Sequence, residues 1–554
     1  MIVGLGVSPG RAVGPVVRMP DPVPEPPAIT GPTDDTDQAS LAERITVACL
    51  RVRDELAARA ALARGDSKAV LGAAALMAVD PVLVEGAKRR VSAVVSPARA
   101  VWDAAGEVAA GLAVLGGYLA ERVSDVADVR DRIVAELTGL PAPGVPDRRG
   151  PYVLVARDLA PTEAALLDSA TCVAVATADG GPTSHAAILL RSLGIPAVVA
   201  ARGVLDLADE TVVLVDGSAG SVRTDPSEAE VGRVGTVARR VRTFDGHGRT
   251  ADGHQVPLMA NIGDPAHVSV AVDVAAEGVG LLRTEFCFLG RPRAPTVDQQ
   301  VAAYRQVLTA FPDRRVVVRT LDGGADKPLP FLGRRVESNP ALGVRGLRIS
   351  VQSEQLLTDQ LTAIAHAAAQ ERADVWVMAP MVATAAEAAT FVDRCQVAGI
   401  VNAGVMIEVP AAAISAAQLL QSARFASVGT NDLTQYTMAA DRGIGELAEL
   451  NDPWQPAVLR LVRLACQAGM DCHRPVGVCG EAAADPALAC VLIGLGASSL
   501  SMTPQAIPDV AAALQITTRE ECAQLAERAM SAPSARLAKQ AVRSELPRLT
   551  ELGI

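Results

Sequence analysis

The residue of greatest chemical interest is His185, in the run Asp179–Val199, D-G-G-P-T-S-H-A-A-I-L-L-R-S-L-G-I-P-A-V-V. Two glycines and a proline make a loop, and Thr183 and Ser184 are of the types that cap a helix start. Ala186 to Leu193 is a helical run stopped by Gly194, and Ile195 to Ala200 reads as a buried strand. His185 therefore falls in a first helical turn, where free N–H groups and the helix dipole favour anions and disfavour imidazolium. A neutral imidazole is a nucleophile, and a phosphoryl group attached to it would sit beside backbone donors. For this residue taken alone, a structural or capping histidine is the competing reading.

A second set of reactive residues stands at the ends of apolar runs further along. One run ends in Arg283-Thr284-Glu285, another in Arg319-Thr320-Leu321-Asp322 followed by Gly323-Gly324-Ala325-Asp326-Lys327. Others end in Glu408, in Asn431-Asp432 with Arg442 shortly after, and in Cys479-Gly480-Glu481. Arginines clamp phosphate and carboxylate groups bidentately. Glu408 and Asp432, with no histidine or thiol partner, suit Mg²⁺, which also takes substrate oxygens and water. A pocket built this way holds a small phosphorylated carboxylate bridged by a metal, whose charge is neutralised as a phosphoryl group leaves. Cys479 is suited to giving a proton to a carbon centre. Each residue has a plainer alternative: a surface ion pair for an Arg or Asp, a turn for Asn431-Asp432, a small buried hydrophobe for Cys479. Asp322, Asp326, Lys327 and Glu481 are open between direct and supporting roles.

The elements that must position these residues follow from the pattern. Residues 1–19 read as a short strand pair that needs a sheet elsewhere, and Pro20–Pro32 as a linker. Leu41–Arg64, Ser67–Ala78, Asp80–Val94, Pro97–Leu115 and Tyr118–Thr138 carry helical periodicity. Tyr152–Ala156, Thr171–Ala176, Ala197–Ala200 and Thr211–Asp216 read as strands, with a helix at Pro161–Leu167. Together they make a small α/β domain interrupted by a helical insert. Ser227–Arg242 reads as a connecting helix, and the glycine-rich Phe244–Gly253 as a hinge. From residue 256 strands and helices alternate, with strands at Val256–Ile262, Gly278–Arg283, Arg315–Thr320, Asp374–Pro380, Ala403–Glu408, Phe425–Gly429, Pro475–Cys479 and Ser498–Met502. Eight strands over about 250 residues predict a (β/α)8 barrel, whose active sites gather at the C-terminal strand ends.

The totals exclude several classes. The chain has 554 residues, enough for two to four domains, and a net charge of -11 with no long basic run, which argues against nucleic acid. Nine cysteines, an odd number with no C-x-x-C pair, point to reduced thiols in the cytoplasm. No stretch reaches about 18 uninterrupted apolar residues, so no membrane insertion is expected. The N-terminal M-I-V-G-L-G-V-S-P-G lacks the basic start and long apolar core of a signal peptide.

With these residues in view, the chain resembles enzyme I of the bacterial sugar phosphotransferase system, the phosphoenolpyruvate–protein phosphotransferases. V-S-P-G, G-G-P-T-S-H-A-A-I-L-L-R-S-L-G-I-P-A-V, G-V-G-L-L-R-T-E-F, R-T-L-D, N-P-A-L-G-V-R, V-M-I-E-V-P, G-T-N-D-L-T-Q-Y-T, V-C-G-E-A-A-A-D-P and L-S-M-T-P match in the family's order. The resemblance implies that His185 is phosphorylated through Nε2. It implies that Arg283, Arg319, Arg442 and Asn431, with Asp432, bind phosphoenolpyruvate, that Glu408 and Asp432 hold Mg²⁺, and that Cys479 protonates the enolpyruvate carbon to give pyruvate. It divides the chain into a phosphohistidine α/β domain (1–20 and 145–225), a helical insert (30–140) that docks the carrier protein HPr, a linker helix and hinge (226–252), and a barrel (253–554) that binds phosphoenolpyruvate and forms a homodimer. The chain departs from the family's pattern at Gly323 and Ala325, and at Ala164, where members often carry Thr. Rival readings are a phosphoenolpyruvate synthase or pyruvate phosphate dikinase, for which no nucleotide loop is present, and a non-catalytic sensor, which would be expected to have lost His185, Cys479 or a metal ligand.

Overall fold

The computed structural model describes the chain apart from residues 9, 21–22, 29–37, 63–64, 93, 116–122, 141–143, 147, 149, 182–184, 228–229, 232–241, 290, 325–328, 334–336, 443, 445–446 and 553. It divides into two compact units, Met1–Ala238 and Arg239–Ile554. The expected capping residues Thr183 and Ser184, most of the connecting helix Ser227–Arg242, and Asp326 and Lys327 lie outside the described residues.

The first unit is built on an eight-stranded sheet. Its strands are β1 (Ile2–Val3), β2 (Leu5–Ser8), β3 (Arg11–Arg18), β4 (Tyr152–Ala156), β5 (Cys172–Thr177), β6 (Ala197–Val199), β7 (Val212–Asp216) and β8 (Ser221–Thr224), in the order β1-β8-β7-β3-β4-β5-β6-β2. β3, β4, β5 and β6 run parallel, while β7 pairs antiparallel with β3 and β2 with β6. Side chains alternate across a strand. Val153, Val155, Ala174 and Ala176 face one core. Tyr152, Leu154, Val175 and Ala197 face a second, shared with Ile45, Leu56, Leu71, Val101 and Ile133 of the helical insert. Sequence and structure thus agree that the N-terminal strands complete a sheet whose other strands follow the insert.

The helices Gln38–Leu62, Gly65–Met77, Pro81–Arg90, Pro97–Leu115 and Val123–Thr138 make up that insert. The expected helix Asp80–Val94 is shorter at both ends. Asp80 is its cap, accepting from the Val82 N–H at 2.7 Å, and the chain turns extended at Val91. The same break divides Val70–Arg90, whose mean hydropathy of 1.6 and length would suit a membrane span. The insert is also tied to the sheet by a buried polar cluster. The Asp128 carboxylate accepts from Arg132 Nε at 2.9 Å and from Thr162 Oγ1 at 2.6 Å, across from the helix Pro161–Ala165.

The second unit is a closed barrel of eight parallel strands: β9 (Leu258–Ile262), β10 (Gly278–Arg283), β11 (Arg315–Arg319), β12 (Asp374–Ala379), β13 (Ala403–Ile407), β14 (Ala426–Gly429), β15 (Val476–Cys479) and β16 (Leu500–Met502). β16 closes on β9 with Leu500 opposite Leu258. All eight expected strands form, each within two residues of its expected ends. Outward side chains such as Val316, Val318, Val377, Val405 and Val428 pack under the surrounding helices. Leu281, Val317, Met378, Met406, Phe425 and Cys479 fill the interior, the packed barrel core expected of this fold. The segment Phe244–Gly253, read from sequence as a hinge, is pinned to this unit. Phe244 is buried in the barrel core, and the Gly248 N–H donates to Glu277 Oε2 at 3.0 Å.

Asp128 and Arg132 are 6% and 3% exposed. Removing one member of a buried ion pair strands the other charge, at a cost of about 3–5 kcal/mol. Asp128→Ala is expected to destabilise the first unit by that amount, and Thr162→Val by only about 1 kcal/mol. Hydrogen exchange of peptides from 123–138 across a urea series measures both, and an unshifted Asp128→Ala transition would show the cluster to be dispensable.

Candidate active site

The C-terminal ends of the barrel strands carry the residues singled out in the second unit. Arg283, Arg319 and Cys479 are the last residues of β10, β11 and β15, and Glu408 directly follows β13. Asn431 and Asp432 lie in the first turn of the helix Thr430–Met438, not in a free turn, and the Arg442 N–H donates to Gln435 Oε1 of that helix at 3.0 Å. His185 belongs to the first unit, where it opens the helix His185–Leu193. Gly194, at φ +62°, ends that helix, and the Ile195 N–H returns to the Leu190 carbonyl. This is the left-handed stop read from the sequence.

Two buried guanidinium groups organise the rim. Arg345, 1% exposed, donates through Nη2 and Nε to Asp322 at 2.9 and 3.3 Å, and through Nη1 to Asp432 Oδ1 at 3.2 Å. Arg319 donates to Glu285 Oε1 at 2.5 Å and lies 3.3 Å from Asp322 Oδ2. Glu285 Oε1 also accepts from the Asp322 N–H at 3.1 Å, which fixes the loop after β11. Behind it, Gln360 donates to Thr284 Oγ1 at 3.0 Å and accepts from the Leu321 N–H at 2.9 Å. Burial works against the Arg319 charge, but the carboxylates of Glu285, Asp322, Glu408 and Asp432 outweigh it and hold the pKa above the ordinary arginine range. Arg442 is likewise raised, first by Asp432.

Arg283 opens to solvent at the rim, yet it stands in a crowd of protein atoms. Its pKa is lowered, first by desolvation and then by the positive charges of Arg319 and Arg442. Three guanidinium groups are therefore close enough to repel one another, an arrangement that an anion relieves. Glu408, 1% exposed, accepts from the Met381 N–H at 2.7 Å. Burial first, then the charges of Asp432 and Asp322, push its pKa up to about 8. A side chain at Gly429 could not share this space, since its Cβ would lie 2.9 Å from Glu408 Oε2.

Cys479 is 2% exposed, and its thiol donates to the Val428 carbonyl at 3.4 Å. Burial raises its pKa to about 11, so the resting group is a thiol, able to give a proton. The turn after it requires glycine. Gly480 has φ +115°, and a Cβ there would meet Thr430 Oγ1 at 2.5 Å. Asn431 Oδ1 accepts from the Glu481 N–H at 3.2 Å, linking the ends of β14 and β15.

The structure thus brings Arg283, Arg319, Glu408, Asp432, Arg442 and Cys479 within electrostatic reach of one another, with Asn431 beside them. Sequence reasoning did not single out Arg345 or Glu285 as site residues. The signals were present in N-P-A-L-G-V-R and L-L-R-T-E, but only folding shows that they bridge separate strand ends. Asp322, left open, is a buried partner of both arginines. Ala164 is fully buried in the helix Pro161–Ala165.

Three family matches cover most of the chain: the PEP-utilising enzyme N-terminal region at residues 3–122, its mobile domain at 149–220 and its PEP-binding domain at 238–519. A phosphoenolpyruvate-protein phosphotransferase of Streptomyces coelicolor is 50% identical over 98% of this chain and 98% of its own. One from Haloferax volcanii is 40% identical over 96% of each chain. A multiphosphoryl transfer protein of Xanthomonas campestris is 39% identical over 96% of this chain and 66% of its own. The chain belongs to the PEP-utilising enzymes, in the family of phosphoenolpyruvate-protein phosphotransferases.

Proposed function

We propose that the protein transfers the phosphoryl group of phosphoenolpyruvate to its own His185, and from there to the histidine of HPr, as the first step of sugar uptake by a phosphotransferase system. The observation that carries this reading is the single barrel rim that joins crowded guanidinium groups, a strained acidic pair and a protonated thiol. Arg283, Arg319 and Arg442 hold the phosphate and carboxylate of the substrate, and Asn431 orients it. His185 Nε2 attacks phosphorus, the bond from phosphorus to the enol oxygen breaks, and an N–P bond forms. The enolate left behind takes the Cys479 proton at C3 and becomes pyruvate. Arg345 and Glu285 touch no substrate in this scheme; they fix the groups that do.

A divalent cation suits the acidic pair. Burial, and then the charges of Asp432 and Asp322, work against the ionised form of Glu408, and a cation would offset both. Glu408 and Asp432 are the residues that would hold Mg²⁺, a hard cation that takes carboxylate oxygens. When bound, it supplies charge neutralisation on the phosphoryl oxygens. The swing that brings His185 to the rim pivots before Phe244, since Phe244–Gly253 is held to the barrel.

The helical insert is the proposed docking site for HPr, and the barrel the proposed dimer interface. Val397, Val401, Ile414 and Leu464 are exposed on neighbouring outer elements of the barrel, in keeping with burial in a second copy. The nine free cysteines are in keeping with a cytoplasmic setting.

Incubation with labelled phosphoenolpyruvate and Mg²⁺ is expected to give an acid-labile, base-stable label that is absent in His185→Ala and passes from the wild type to HPr. Stoichiometric labelling of that variant would end the assignment. Cys479→Ala is expected to slow phosphoenolpyruvate–pyruvate exchange about 100-fold while binding persists; an unchanged rate would remove the thiol from the mechanism. Glu408 gives a pH test. Its folded pKa is raised from 4.5 to about 8, so its contribution to stability is complete below the unfolded value and is lost as pH rises through 8. Without divalent metal, the thermal midpoint of the wild type should therefore fall between pH 5 and 9 more than that of Glu408→Gln; parallel curves would contradict the assigned repulsion.

A further inference from the structure

We propose that Ser427 returns a proton to Cys479 after each turnover, drawing it from a serine-lined cleft at the N-terminal mouth of the barrel. This rests on the proton-donor role of Cys479 given above. Once the thiol has given its proton to C3, a thiolate remains in a position only 2% exposed, and it must be reprotonated before the next substrate reacts. The strand register shows from which side. Gly429 is opposite Cys479 and Ser427 is opposite Gly477. Side chains two apart on a strand share a face, so Ser427 and Cys479 both point into the barrel, one layer apart. Ser427 is thus the diagonal neighbour of Cys479 across the β14–β15 pair, on the side away from the substrate rim.

Below Ser427 the interior opens rather than closes. Ser427, Ser498, Ser499, Ser501 and Arg315 line a narrow, solvent-open cleft with room for about one water. Ser498 is exposed, Ser499 half-buried, and Ser427 and Ser501 are buried. Two glycines leave the room that these hydroxyls occupy. A Cβ on Gly477 would lie 2.5 Å from Ser499 Oγ, and one on Gly280 would lie 2.4 Å from Ser501 Oγ. Barrel interiors are ordinarily filled by branched apolar side chains, and buried hydroxyls carry a desolvation cost that such residues avoid. Here Ser498 is exposed, Ser499 lies over Gly477, and Ser427 is opposite that same glycine, while the Ser501 hydroxyl donates to Asn261 Oδ1 at 2.6 Å. In the relay the thiolate takes the Ser427 O–H proton, and the seryl oxygen takes one from the next hydroxyl or water. The chain ends in solvent beside Ser498. One proton enters for each pyruvate formed, and no electrons are exchanged.

Deuterium reports the relay. The full-length protein is incubated with Mg²⁺, unlabelled phosphoenolpyruvate and pyruvate carrying ¹³C at C2 and a trideuterated methyl group. Conversion of pyruvate to phosphoenolpyruvate leaves one deuteron on Cys479, which either escapes to water or returns to carbon. For the wild type, the expected yield is close to one deuteron in water for each carbon exchanged. In Ser427→Ala that ratio is expected to fall at least about threefold, whatever the rate of carbon exchange, and Ser427→Thr should restore it. A wild-type ratio in Ser427→Ala overturns the relay. Should that variant fail to fold or to exchange carbon, Ser499→Ala reads the same ratio one hydroxyl further out, with the same expectation and the same overturning result. Carbon exchange at the wild-type rate in Cys479→Ala would instead remove the proton-donor reading on which the relay rests.

Discussion

The architecture of the rim depends on charge that has been taken out of water and must be matched inside. Glu285, Asp322, Glu408 and Asp432 are all buried, and among the described residues Arg319 and Arg345 are buried with them. An unmatched buried ion costs several kcal/mol, so the placement of each guanidinium is tightly constrained. Arg345 holds Asp322 and Asp432 together, and Arg319 holds Glu285 beside Asp322. Among the described residues the buried acids outnumber the buried bases, and burial with the charges of Asp432 and Asp322 raises the Glu408 pKa. Arg442 and Arg283, less buried, lie further out, where an incoming anion can reach them. On the proposed function, the rim is preorganised for the charges that would arrive with substrate.

The same logic operates on a smaller scale in the first unit. The sheet and the helical insert share one apolar core, yet a buried carboxylate, Asp128, links a helix of the insert to the short helix after β4. Apolar contact is tolerant of sliding; a directional hydrogen bond to a buried threonine is not. That distinction fixes how the insert sits on the sheet.

Much of this could be read from the chain. The barrel strands were legible because each is a short apolar run, and three end in a polar residue, as in V-V-V-R before Thr320 or V-G-V-C before Gly480. β8 was missed: S-V-R-T has too little apolar content to announce a strand, and it forms because β7 offers it an antiparallel edge. Arg345 was missed as a site residue for a different reason. It lies in no strand, and its partners Asp322 and Asp432 are 23 and 87 residues away. Periodicity carries no information at that range, so the ion pairs that position the reactive groups emerge only when the barrel closes.

The burial of Cys479 has a consequence beyond the proton transfer proposed for it. Oxidants attack thiolates, and exposed thiolates above all. Between turnovers a sulfur only 2% exposed, its pKa pushed up to about 11 by burial, is a poor target for peroxide. Seven of the other eight cysteines are buried as well, so the resting chain presents few thiols to oxidants.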